Sequence, residues 1–350
     1  MKSEEAQTNQ ILKLEEIMRK ITAISVLLLL ASALSAKDAL VPEWVTNHRG
    51  AYPDADYLAQ RGSGKTAETA QTDATSQIAR YFQTNVSANL STTMRSITGA
   101  GKVDESTTVV DEVRVSSEVS LFALEHTEPY YYKKEKKWYC VAYIRRDAAW
   151  TQYAPVVDGA KAEFYALYDN AGKESEPFIR CGLYKAAWEN GKNFLERLEY
   201  ARILSPAGEA AYSGDRRTVS QIPALIQSER EKCAVHLTVR GDYGNIIETS
   251  LTNALTKSGI RTTSSASQAA YTATAVIEPN ATGTDPMSIS PSVDIRIQGR
   301  GGRSVYSLQV RSGERTVAYT LESAQKKAYP ALAEELERML SAGLAEAVGL

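Results

Sequence analysis

The sequence predicts an α+β protein made of a strand–helix–strands domain, a helical connector, and a second α/β sandwich domain that ends in a long C-terminal helix. Three observations predict it. Apolar residues recur at every fourth position through Ala70, Ala74, Ile78, Phe82, Val86 and Leu90, which marks a helix with one apolar face. From Val156 to about Glu231 the signals are helical throughout, and after Ala234 short strand-type runs alternate with two helical stripes. The 350 residues exceed one ordinary core and suit two or three domains.

Composition narrows the class. Hydrophobic residues at 43% and charged residues at 23% fit a folded globular chain and argue against disorder or a multi-pass membrane protein. Forty basic and 42 acidic residues leave a net charge of −2, which gives no field for a phosphate backbone, so nucleic acid is not an expected partner.

Residues 1–36 read as a signal peptide. Arg19 and Lys20 precede a 16-residue apolar run from Ile21 to Ala36, too short for a bilayer span and ordered as a secretory leader. Cleavage is expected after Ala36 or Ala33, and Met18 is a candidate true start. Lys37 follows where a lipid-accepting cysteine would stand, so the mature chain is expected in the periplasm, held at the outer membrane by partners if at all, with no integral membrane span.

Along the mature chain, the first domain is expected over 38–153. Asp56 to Gln60 reads as a strand that ends at Gly62-Ser63-Gly64, with the two glycines forming a structural turn into the helix. Thr66 can cap that helix, and Glu68 lies where the helix dipole favours a carboxylate. Thr107 to Leu124 reads as a strand pair or one bent strand, and Thr127–Tyr132 with Trp138–Ile144 as a hairpin about a lysine-rich turn. The connector, 154–231, is punctuated by Gly172, Gly191 and Ser205-Pro206-Ala207-Gly208. The last domain, 232–350, opens with strand Ala234–Val239 and a helix marked by Ile247, Leu251 and Leu255, which stops at Gly259. Strands are then expected at Ile260–Thr263, Tyr271–Ile277, Val293–Gln298, Ser304–Val310 and Arg315–Leu321. A helix carrying Leu332, Leu336, Leu340, Leu344 and Val348 closes the chain, with Pro330 expected to kink it or mark a false start.

Chemistry-bearing residues are sparse. Gly62-Ser63-Gly64-Lys65-Thr66 resembles the end of a phosphate-binding loop, but Ala59 stands where its first glycine belongs. A nucleotide-binding enzyme using this degenerate loop is therefore a minor alternative. His126 beside Glu125 lacks a nucleophile at a recognisable spacing. No catalytic, cofactor-binding or metal-binding residues are expected, and no cofactor. Tyr130, Tyr131, Tyr132, Trp138 and Tyr139 form a candidate interaction patch across the hairpin, with cross-strand packing as the competing explanation. Arg296, Arg300, Arg303, Arg311 and Arg315 read as a solvated basic run. Cys140 falls in an apolar strand and is expected to be an inert thiol, whereas Cys181 and Cys233 are the candidate disulfide in an oxidising compartment.

Pro42-Glu43-Trp44-Val45, the strand into Gly62-Ser63-Gly64, the alanine-rich helix from Ala67 and the run Trp138-Tyr139-Cys140-Val141-Ala142-Tyr143 together resemble the LPP-twenty lipoprotein family of bacterial envelopes, over about residues 42–150. The element order of the final domain is similar to the small α/β N-terminal domain of the Tol-system propeller protein and to curli-secretion-type lipoproteins. One domain of each kind in that order is also similar to the periplasmic flagellar-ring protein of polar flagellates. These resemblances imply a non-enzymatic, exported envelope protein that acts by protein–protein contacts in a periplasmic or outer-membrane-associated assembly, flagellar or secretion related. Peptidoglycan or glycan binding through the tyrosine hairpin is the alternative.

Overall fold

In a computed structural model of the chain, the structure describes residues 41–99 and 122–348. The expected leader and the expected strand region over residues 107–121 lie outside the described residues. The described residues divide into two compact units, one of residues 41–55, 59–75 and 126–142, the other of 56–58, 76–99, 122–125 and 143–348. Mixed α and β elements fill both, in keeping with the α+β class.

The first unit begins with two short helices, α1 (Glu43–Thr46) and α2 (His48–Ala51). Strand β1 (Tyr57–Gly64) leads into helix α3 (Ala67–Thr98), whose 32 residues continue into the second unit. Thr66 caps α3 as expected: its hydroxyl accepts from the Thr69 amide at 3.2 Å, while Thr69 Oγ1 accepts from the Thr66 amide at 3.0 Å. The pair satisfies two end amides reciprocally.

The glycines need correcting. Gly62 and Gly64 lie inside β1, and neither has the positive φ of a left-handed turn. Close approach explains them better than turn geometry. A Cβ at Gly62 would come within 2.7 Å of Ala74 Cα, and one at Gly64 within 2.6 Å of the Ala70 amide nitrogen. Bare strand backbone thus meets bare helix backbone, and Ala70 and Ala74 are fully buried.

Strands β2 (Glu125–His126), β3 (Tyr130–Tyr132) and β4 (Lys137–Arg145) complete a sheet ordered β1-β4-β2, with β3 on β4. The expected strand Thr127–Tyr132 is interrupted between β2 and β3, where Pro129 has no amide to donate.

In the second unit, helices α4 (Arg146–Lys173), α5 (Pro177–Leu204), α6 (Pro206–Ala210) and α7 (Ser213–Lys232) form the helical region. It starts at Arg146, earlier than Val156, and α4 carries Pro155 inside it. Gly191, expected to break a helix, is interior to α5. An added Cβ there would lie 2.8 Å from Val219 Cγ1, so its small size lets α7 pack close. The fully buried rings of Phe82, Phe122, Tyr153 and Tyr200 interlock, with centroids 5.0 Å apart for Phe122–Tyr153 and 5.1 Å for Phe82–Phe122.

The C-terminal layer is a five-stranded mixed sheet. Strands β5 (Val235–Arg240), β6 (Thr262–Thr263), β7 (Tyr271–Glu278), β9 (Ser292–Gly299) and β10 (Ser304–Arg311) stand in the order β10-β9-β7-β5-β6. The pairs β5–β6 and β5–β7 are parallel, and β7–β9 and β9–β10 antiparallel. Alternation sends Ala273, Ala275 and Ile277 with Val293, Ile295 and Ile297 to one buried face, where helices α8 (Ile246–Lys257) and α9 (Leu321–Val348) share a core with them. The opposite face carries Thr274, Arg296 and Ser307 in line across three strands. Asp242 caps α8, accepting from the Ile247 and Glu248 amides at 3.1 and 3.0 Å, and Gly259 after it takes φ +64°.

Strand β11 (Thr316–Ala318) pairs with β8 (Met287–Ile289), which the sequence reading missed. It is shorter than the expected Arg315–Leu321 because Leu321 already opens α9. That helix runs past Pro330; Leu332, Leu336, Leu340 and Leu344 are fully buried, and the side chain of Val348 lies outside the described residues.

Candidate functional site

The β3–β4 hairpin sets Tyr130 opposite Tyr139, Tyr131 opposite Trp138 and Tyr132 opposite Lys137. Because side chains alternate along a strand, this register divides the five aromatic residues between two faces. Tyr130, Tyr132 and Tyr139 share one. Tyr139 is buried, its ring 6.4 Å from that of Tyr132 and 4.9 Å beneath the Arg61 guanidinium, and its hydroxyl donates to the Glu135 carboxylate. That hydrogen bond and burial hold the Tyr139 hydroxyl above its ordinary pKa. Arg61 also donates to the Val45 carbonyl, which ties the turn from α1 to the same place. On this face Tyr139 is a packing residue.

Tyr131 and Trp138 take the other face. Their rings stand 5.5 Å apart at 53°, and Tyr131 is 41% exposed. Beside them the turn carries exposed Lys133, Lys134, Lys136 and Lys137 about the single Glu135, with Lys136 at φ +52°. Paired rings next to a cationic tip can stack on a flat ligand face and attract an anionic group. The register thus sets Tyr131 and Trp138 on one face of the hairpin and Tyr130, Tyr132 and buried Tyr139 on the other.

The other expected groups are occupied within the fold. The Ser63 amide donates to the Asp73 carboxylate at 2.9 Å, so an anion approaching the Gly62–Thr66 segment meets a negative charge. His126 Nε2 is 2.8 Å from Thr75 Oγ1, and burial lowers its pKa. Cys140 is buried in β4, and burial raises its pKa. Of the arginine run, Arg300 donates to the carbonyls of Ala269 and Ser267 at 3.0 Å each, and Arg303 lies 3.4 Å from Glu174. Cys181 and Cys233 are buried as free thiols.

A polar cluster in the helical region escaped the sequence reading. Asp215 accepts from Lys161 and from the Tyr165 hydroxyl at 2.8 Å each, and the Tyr212 hydroxyl donates to Asp158 at 2.7 Å. Hydrogen bonding to Asp215 raises the Lys161 pKa, and burial raises Tyr165 and pushes Tyr212 up to about 12. Each shift moves its group further from neutrality, the reverse of what acid–base catalysis needs. The residues are 50 or more positions apart, so no sequence spacing signals the cluster. Among the described residues no group of three or more His, Cys, Asp or Glu is placed to hold a metal ion. A depression of about 430 Å³ lies over Arg296, Gln298, Ser307 and Gln309 on the sheet, with Ile295 and Leu308 also lining it.

The hairpin and the β1–α3 contact both fall within a recognisable segment. Residues 42–142 match the family model of the LPP20 lipoprotein. The match covers less than a third of the chain and takes in the glycine pair, the start of α3 and most of β4. No curated protein matches the sequence. Among solved structures, a minor lipoprotein of Acinetobacter baumannii is 16% identical over 32% of this chain and 95% of its own, with a TM-score of 0.24. A secreted protein of Helicobacter pylori is 13% identical over 82% of this chain and 97% of its own, with a TM-score of 0.34. Among the described residues no helix is long and apolar enough to cross a membrane.

Proposed function

We propose that this chain is an exported, non-enzymatic protein of the bacterial envelope that works by contact with other envelope proteins, and that the Tyr131–Trp138 face of the hairpin is its contact surface. The observation that carries the reading is the pairing of exposed Tyr131 with half-buried Trp138 beside four lysines within the segment that matches the LPP20 lipoprotein. Lys161, through its hydrogen bond to Asp215, and Tyr212 and Cys140, chiefly through burial, are held away from neutrality. The C-terminal α/β layer, with its element order similar to the Tol-system propeller protein's N-terminal domain, is a second contact module in this reading. A periplasmic or outer-membrane-associated assembly, flagellar or secretion related, is the setting.

Crosslinking in intact envelopes followed by capture of the full chain tests it. Reproducible envelope partners that are lost in the Tyr131→Ala/Trp138→Ala variant support the reading, and a capture unchanged by the variant overturns the hairpin as the surface. The rings and lysines also suit a sugar polymer bearing carboxylates. Sedimentation of the purified chain with sacculi, lost in the same variant, would favour peptidoglycan as the occupant.

A further inference from the structure

Two of the three cysteines are brought together by elements distant in sequence. Cys181 lies in the second turn of α5, and Cys233 is the residue that ends α7, with non-helical backbone at φ −86° and ψ 48° just before β5. Both are fully buried in the core of the C-terminal layer, among Phe178, Val235 and Tyr271. Cys181 Sγ lies 3.8 Å from the Ile226 carbonyl and Cys233 Sγ 3.3 Å from the Glu229 carbonyl, positions one turn apart on α7. Both sulfurs therefore reach the last turns of α7. Cys140 lies in β4, in the other compact unit.

We propose that Cys181 and Cys233 form a structural disulfide that fastens the start of α5 to the junction between α7 and β5. Both sulfurs sit in one buried core beside the same stretch of α7. A bond of about 2.05 Å is reached by adjustment at Cys233, whose backbone is already non-helical where α7 ends. The chemistry is thiol–disulfide exchange with a disulfide-carrying oxidant such as oxidised glutathione. One thiolate attacks the oxidant's sulfur and expels one reduced thiol. The second thiolate then attacks the resulting mixed disulfide and expels the other. Overall, two protein thiols and one oxidant disulfide become one protein disulfide and two small thiols. Because both sulfurs are buried in the finished fold, the bond forms while the chain folds, before the core closes. The oxidising setting rests on the export reading; the pairing itself does not.

The test is independent of where the protein resides. The full chain is refolded from denaturant with oxidised and reduced glutathione, alkylated in denaturant without reduction, and digested for peptide mapping. A crosslinked peptide joining Cys181 to Cys233, with Cys140 alkylated, is the expected result. Alkylation of all three cysteines, or a bridge that includes Cys140, overturns the proposal. As a second readout, Cys140→Ser still yields the crosslinked peptide, whereas Cys181→Ser leaves Cys233 open to alkylation. Either outcome leaves the export reading untouched, since cell fractionation decides that separately.

Discussion

Gly62 in β1 stands against Ala74 in α3 so closely that a Cβ would come within 2.7 Å of the alanine Cα. The obstacle is helix backbone, which cannot rotate aside as a side chain can. Gly62→Ala must therefore push α3 off the strand, at about 3 kcal/mol, the upper end for overpacking. Urea unfolding of the variant measures this. A loss within about 0.5 kcal/mol, the range of an ordinary surface change, would show that the helix can move without cost.

Glu199 is fully buried, with Arg216 at 2.9 Å and Arg202 at 3.1 Å; Arg216 also reaches Glu209 at 2.6 Å. Arg216→Met removes the more buried cation and strands part of the Glu199 charge. The expected destabilisation is about 3 kcal/mol, the low end for breaking a buried pair, because Arg202 remains. Adding Glu199→Gln to Arg216→Met should recover part of it, since the stranded charge is then gone. Denaturant midpoints of the single and double variants check both statements.

His48 and His126 both have pKa values below the ordinary 6.5, through burial in each case and, for His48, also through Arg61 and Arg49. In the window between the lowered values and 6.5 the unfolded chain binds more protons than the folded one. Stability is therefore full above pH 6.5 and falls as the pH drops through that window. Urea midpoints at about pH 7.5 and about pH 5.5 should differ in that direction. His126→Gln keeps a partner for Thr75 and should narrow the difference.

Tyr131 and Trp138 pair across the hairpin with their rings 5.5 Å apart. Replacing Tyr131 with alanine should cost only about 1 kcal/mol, the scale of one aromatic cross-strand pair, while it removes partner capture. Tyr139→Ala, which empties a buried position beneath Arg61, should cost more, about 3 kcal/mol. Comparing thermal unfolding with capture for the two variants separates the contact face from the packing face.

A Cys181–Cys233 bond would close a loop of about 50 residues, for which chain entropy gives about 4 kcal/mol of stabilisation. Urea unfolding of the refolded chain with and without reductant should show a gap of that order, and Cys181→Ser should abolish the dependence on reductant.

The sequence by itself determined what depends on near neighbours. The every-fourth-residue stripe from Ala70 to Leu90, the Thr66 cap, the stop at Gly259 and the leucine stripe of α9 are legible because helix periodicity and end-capping act within a few residues. The period-two strands of the C-terminal sheet are legible for the same reason. Three-dimensional partners decided the rest. Gly62 and Gly191 read as turn or punctuation until Ala74 and Val219 stand opposite them, and a glycine demanded by close approach has no local signature. The tyrosine cluster reads as one patch until the β3–β4 register divides it between two faces, one holding buried Tyr139 and the other exposed Tyr131. Cys181, Lys161 and Glu199 likewise acquire Cys233, Asp215 and Arg216 only when α4, α5 and α7 fold against one another. Tertiary packing chooses such partners because it acts on shape and distance across the core, which chain spacing does not encode.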